Sequence, residues 1–188
     1  MTGQTEHVRI YLPATLLDLA DLADLAAGTG ASGDVGGGAV GGAGADASHE
    51  RPDALPAPRR AHAVTAALRA MFPDEDDEGL EYAAQLAAAD DSLELVAGSP
   101  EAPRLRLVLT ADVGEHDTAV VADDDAAPSA VEVTAAIPWD AVACAHVDEP
   151  AAAGDVAAAL AGDPDAVERL DERDLLWYDA TELRSIPR

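Results

Sequence analysis

The chain has 188 residues, 48% of them hydrophobic, and sets 37 acidic side chains against 11 basic ones for a formal net charge of −26. That is enough apolar material for the core of one domain. The charge excludes binding to phosphate backbones and to anionic membranes, both of which it repels.

Every base is an Arg, and Cys144 stands alone, which excludes an internal disulfide and a multi-cysteine metal site. No stretch approaches the roughly 18 apolar residues of a transmembrane helix. Residues 1–6 are polar and run directly into a strand-like segment, so neither an anchor nor a signal peptide is expected, and the protein is placed in the cytoplasm.

The first element is a strand. Val8, Ile10 and Leu12 alternate with Arg9 and Tyr11, a spacing of two that puts the aliphatic residues on one face. Pro13 suits the first turn of a following helix, whose apolar face is Leu16, Leu19, Ala20, Ala23 and Ala27, with Gly28 as its stop. Nine of the seventeen residues from Gly28 to Gly44 are glycine, and Asp46–Arg60 is polar with three prolines. Such a run cannot bury enough apolar area to offset its ordering entropy. Residues 28–60 are therefore expected to be a disordered Gly/Pro-rich insertion, and residues 1–27 and 61–188 one α+β domain.

After the insertion, Ala61–Thr65 predicts a short strand leading into a helix at Ala66–Phe72. The acids Asp74–Glu78 then sit where a helix N-terminus favours negative charge. Tyr82, Leu86, Ala89, Leu93 and Val96 recur at helical spacing and predict the buried stripe of a long helix that ends near Gly98. Strands are predicted next. Leu105, Leu107, Leu109 and Ala111 point inward with Arg104, Arg106 and Thr110 outward, followed by 118–122, by the row from Val131 to Ile137, and by 141–147. Two short helices follow, after Pro150 and after Pro164. Leu175–Tyr178 reads as a last strand, and Asp179–Glu182 matches a capping box. Strands gathered in the middle predict an α+β fold, with one mixed or antiparallel sheet of about five to six short strands and helices packed mainly on one face.

The motifs that could carry chemistry are weak. Gly28–Gly33 spells G-x-G-x-x-G but follows a helix rather than a strand, so no dinucleotide site is expected. Asp74–Gly79 resembles the start of a calcium loop, but Gln85 occupies the position of the essential bidentate Glu. The five histidines show no ligand spacing, so no metal and no cofactor is expected. Cys144, His146 and Asp148 alternate along one strand and could supply a nucleophile, a base and an orienting acid. Neighbours on one strand face nevertheless sit about 7 Å apart, beyond proton-transfer reach.

Val8–Thr15 near the start and Asp174–Leu183 near the end together resemble the opening (R-[IV]-Y-L-P-A-T) and closing (L-L-W-Y) signatures of an uncharacterised family of small actinobacterial proteins. Ala61–Thr65, Glu81–Ala84 and Ala145–Asp148 are similar to its other recurring stretches. The resemblance covers most of residues 7–186, departs from the family at the glycine-rich run, and brings no activity with it.

The leading expectation is a non-enzymatic protein-binding or regulatory module of unknown partner, with the charge favouring a basic one. The alternative is an enzyme of unfamiliar type, with a site assembled from distant segments. The candidate surface or pocket in either case draws on Arg9, Tyr11 and Thr15 near the N-terminus, Glu81 and Tyr82 on the long helix, His146 and Asp148, and Trp177 and Tyr178. Adjacency of the first and last strands would let Tyr11 meet Tyr178.

Overall fold

The computed structural model describes residues 7–19, 54–121, 123 and 125–187. Strand β1 (His7–Ala14) divides its side chains as the alternation predicts. Ile10, Leu12 and Ala14 join the larger apolar cluster and Tyr11 the smaller one. Pro13 does not open a helix but remains in the strand, opposite Val108. At Pro13 the pairing with the neighbour on β1's other side has already ended, so its missing N–H breaks no rung there. Helical backbone, α1, begins at residue 16 and is described to 19. Its cap is Thr15, whose N–H and hydroxyl both donate to Asp18 Oδ2 at 2.7 and 3.0 Å.

The expected insertion boundary at 61 lies too late. Strands β2 (Ala54–Leu55) and β3 (Arg59–Ala63) occupy its last residues, and Leu55 is buried. Alternation was interrupted there by three prolines, which hid a two-residue strand. Residues 28–53 of that segment, including the G-x-G-x-x-G run, lie outside the described residues.

Helix α2 (Ala66–Met71) is capped by Thr65, whose hydroxyl accepts from the Leu68 N–H at 3.1 Å. Helix α3 (Asp77–Gly98) is capped by Asp76, which accepts from the Gly79 N–H at 2.9 Å, with Asp77 and Glu78 in its first turn. The predicted stripe on α3 is partly out of phase. Tyr82 and Leu86 are exposed, and the helix is buried through Leu80, Ala84, Ala88, Ala89, Ser92 and Val96. Small residues (Ala84, Ala88, Ala89 and Ser92) fill the middle of the buried face, with Leu80 and Val96 towards its ends. Ser92 ties the helix to the sheet: its hydroxyl donates to the Ala14 carbonyl at 2.8 Å and accepts from the Leu107 N–H at 2.9 Å.

The remaining elements are β4 (Leu107–Gly114), β5 (Thr118–Val120), β6 (Ala130–Val133), β7 (Ile137–Pro138), β8 (Val142–Val147), α4 (Ala153–Leu160), α5 (Pro164–Asp171) and β9 (Leu176–Asp179). Gly162 ends the α4 segment at φ +89°, a left-handed conformation that glycine adopts without a Cβ clash. The capping box at Asp179 and Glu182 is present and opens a 3-10 turn over Ala180–Ser185.

Seven strands form one sheet in the order β5-β6-β3-β1-β4-β8-β9, and β2 pairs with β7 in a second, two-stranded sheet. Every pairing among the described strands is antiparallel. The fold is therefore α+β with a larger sheet than the five to six strands expected. The helices do not favour one face. Leu16 and Leu19 of α1, Val156 of α4 and Leu170 of α5 join the Ile10–Leu12–Leu109 cluster, while Leu68 of α2 and Leu80, Ala84 and Ala88 of α3 join Tyr11 and Val108. Thr110, predicted to point outward, is 3% exposed between its strand neighbours Tyr11 and Cys144.

Candidate functional site

Helix α3 covers only part of the Tyr11 side of the sheet. Beyond its first turns lies an open groove of about 790 Å³, floored by β1, β4, β8 and β9 and walled by the start of α3. Strand register explains who meets there. Tyr11 lies opposite Thr110, which lies opposite Cys144; Val108 lies opposite His146, which lies opposite Trp177. Between Thr110 and Ala111 the β8 register slips, so that Thr110 pairs with Cys144 and Ala111 with Val142. Ala143 is the extra residue of a β-bulge, and it lines the groove together with Cys144.

The groove wall is acidic. Asp76, Glu78 and Glu81 face it, with Arg9 as the one Arg among the described lining residues. Arg9 is already engaged: its Nε and Nη2 donate to Asp112 at 3.1 and 3.3 Å, and Nη1 lies 3.9 Å from Glu81. The Tyr11 hydroxyl donates to Glu81 Oε2 at 3.0 Å. Burial raises the Tyr11 pKa, and the neighbouring Glu81 charge raises it further, so the phenol stays protonated and acts as a donor. Trp177 is 59% exposed and Tyr82 49%, and both rings border the opening.

The floor is unsatisfied. Thr110 Oγ1 and His146 Nδ1 are buried and have no hydrogen-bond partner; among the described residues only Trp139 Nε1 shares that condition. An unpaired buried polar atom costs about 1–3 kcal/mol. Burial lowers the pKa of His146, so the ring is neutral at pH 7 and adds no positive charge to the groove.

Of the nine residues singled out in the sequence, the groove gathers Arg9, Tyr11, Glu81, Tyr82, His146 and Trp177. Three lie elsewhere. Thr15 is the α1 cap. Tyr178 packs against the larger cluster on the other side of the sheet, with β4 and β8 between its strand and β1, so the meeting of Tyr11 and Tyr178 does not occur. Asp148 follows β8 and binds Arg106. It accepts from the Arg106 N–H at 2.8 Å, from Nε at 3.0 Å and from Nη2 at 2.9 Å, with both side chains almost fully buried. Arg106, expected on an outer face, thus lies inside, and its Nη2 also donates to the Leu170 carbonyl. The Cys144, His146 and Asp148 set is therefore not assembled. The carboxylate is committed to Arg106, and His146 Nδ1 has no orienting partner.

Sequence reasoning passed over Thr110 and Gln85 as site residues. Thr110 carried the right parity, on the Tyr11 face of an alternating strand, but no sequence signal says which strands are neighbours. Gln85 entered only as a failed calcium ligand. Among the described residues, no group of three or more His, Cys, Asp or Glu side chains is placed to hold a metal ion. No helix among them is long and apolar enough to cross a membrane.

A family model described as a family of unknown function (DUF6912) matches residues 42–186. The chain belongs to that family. No curated protein and no solved structure matches it. The DUF6912 match contains the whole α3 wall, β4, β8 and β9, and so all of the groove except Arg9 and Tyr11 on β1. It begins at residue 42, inside the segment expected to be an insertion.

Proposed function

We propose that the groove is a binding site for a basic segment of another protein, and that the chain serves as a non-enzymatic binding or regulatory module in an actinobacterial cytoplasm. The observation that supports this best is the charge of the cavity. Among the described residues three carboxylates line it, and the one Arg there is already held by Asp112. A guanidinium or ammonium group entering there meets Asp76, Glu78 and Glu81, and can lie over the exposed faces of Tyr82 and Trp177. The overall charge of −26 attracts such a partner from a distance and speeds its arrival.

The catalytic alternative draws on the same groove but lacks an activated nucleophile. Cys144 and His146 are next neighbours on one strand face, about 7 Å apart, and Asp148 serves Arg106. Titration of a blocked Arg-rich peptide, followed by Trp fluorescence at low and high salt, tests the binding reading. Saturable binding that weakens with salt, and weakens again in Glu78→Gln and Glu81→Gln, supports it. Binding insensitive to both substitutions contradicts it.

A further inference from the structure

We infer that the basic segment docks in extended form, adding a strand along Leu176–Tyr178 of β9, whose outer side no described strand covers and beyond which the Asp179 N–H is already held by Glu182. This rests on the groove reading above and specifies its geometry. β9 (Leu176–Asp179) pairs with β8 on one side and ends the seven-stranded sheet on the other. A strand edge carries a row of backbone donors and acceptors that can template another chain. Natural edges are usually blunted, yet this one presents Leu176 at 43% exposure and Trp177 at 59%.

The opposite edge, β5 (Thr118–Val120), is also open, with Val120 68% exposed. It does not border the groove, whereas β9 contributes Trp177 to it. The edge and the acidic cavity are therefore parts of one continuous surface. Side chains alternate along a strand, so every second residue of an added segment stands on the groove side, beside Trp177. Arg or Lys at those positions can reach over the indole toward Glu78 and Glu81. The intervening residues fall on the Tyr178 side of the sheet, where apolar side chains extend the larger cluster. The partner chemistry is thus an extended segment with bases at alternate positions and apolar residues between them.

The test uses the full chain as bait for a library of random linear peptides at low salt. The expected enrichment is of sequences alternating Arg or Lys with aliphatic residues. An enriched peptide is then synthesised with N-methyl groups on amides of one parity or the other. In strand addition only one parity faces β9, so one N-methylated peptide loses about tenfold or more in affinity and the other is unchanged. Equal binding by both overturns strand addition and leaves the groove reading standing. Loss of binding in a Val120→Arg variant, with no effect of Trp177→Ala, places the peptide on the β5 edge and overturns the inference. Failure to enrich basic peptides, or undiminished binding to a Trp177→Ala/Glu81→Gln double variant, overturns both the inference and the groove reading.

Discussion

Two polar places lie within a few residues of each other on β4 and β8, and they are built in opposite ways. At the start of β4, Arg106 and Asp148 are both buried and mutually satisfied, with further bonds to the Arg106 N–H and the Leu170 carbonyl. In the middle of the same two strands, Thr110 and His146 are buried with polar atoms that have no partner. The first place ties β4, the end of β8 and α5 together. The second leaves hydrogen-bonding capacity beside an open cavity. A buried polar group left unpaired costs stability, so the contrast separates a device that holds the fold from a place where the fold tolerates a cost.

Breaking the clasp has the largest expected effect. Asp148→Ala leaves the Arg106 charge buried and unpaired, which destabilises by about 3–5 kcal/mol. Urea unfolding checks it, and a change below about 1 kcal/mol would show that Arg106 escapes to solvent. The Ser92 bridge comes next. Ser92→Ala strips a partner from the Ala14 carbonyl and the Leu107 N–H, and is expected to lower stability by about 1–3 kcal/mol.

The sign reverses at the groove. Thr110→Val replaces an unpaired hydroxyl with a methyl of similar size, so it should raise stability by about 1 kcal/mol and weaken peptide binding in the same protein. A destabilised Thr110→Val would mean that the hydroxyl is satisfied after all. Trp177→Ala should change stability by no more than about 0.5 kcal/mol, because the ring is largely exposed, while reducing binding.

The histidines sharpen the comparison through pH. Burial lowers the pKa of both His62 and His146, and for His62 this outweighs the hydrogen bond to Asp91 at 3.2 Å. The unfolded chain therefore binds more protons than the folded one below the ordinary histidine value of about 6.5. Their contribution is fully present above that pH and is lost as pH falls from there toward the depressed folded values. Urea midpoints measured between pH 7.5 and about pH 5 should decline. Replacing His146 with Gln should flatten part of that decline. Because burial raises the Asp90 pKa and so adds stability on acidification, the test is the difference between the wild type and the His146→Gln variant, and parallel pH profiles would contradict a neutral, buried ring.

Much of the local structure was legible in the sequence. The parity of β1 separated Ile10 and Leu12 from Tyr11, the acids before Gly79 marked the start of α3, and Asp179 with Glu182 announced the last turn. These are short-range patterns whose physics acts within a few residues. What stayed hidden was long-range. The phase of α3 was read from its large residues, whereas the sheet accepted its alanines and left Tyr82 and Leu86 outside. Asp148 looked like a partner for His146 because both lie on one segment, but a buried Arg106 competes for it more strongly. Six candidate residues converge on the groove because antiparallel register brings four strands side by side, an order that no local signal records.

The central claim is that the groove over β1, β4, β8 and β9 receives a basic protein segment. It is tested most directly by a two-dimensional NMR titration of the isotopically labelled full chain with an enriched basic peptide at low salt. The account predicts shifts concentrated at the Trp177 indole N–H and at the backbone amides of Gly79, Thr110 and Cys144. Shifts confined to the α4 and α5 surface, or saturation of the peptide with no change at Trp177, would contradict it.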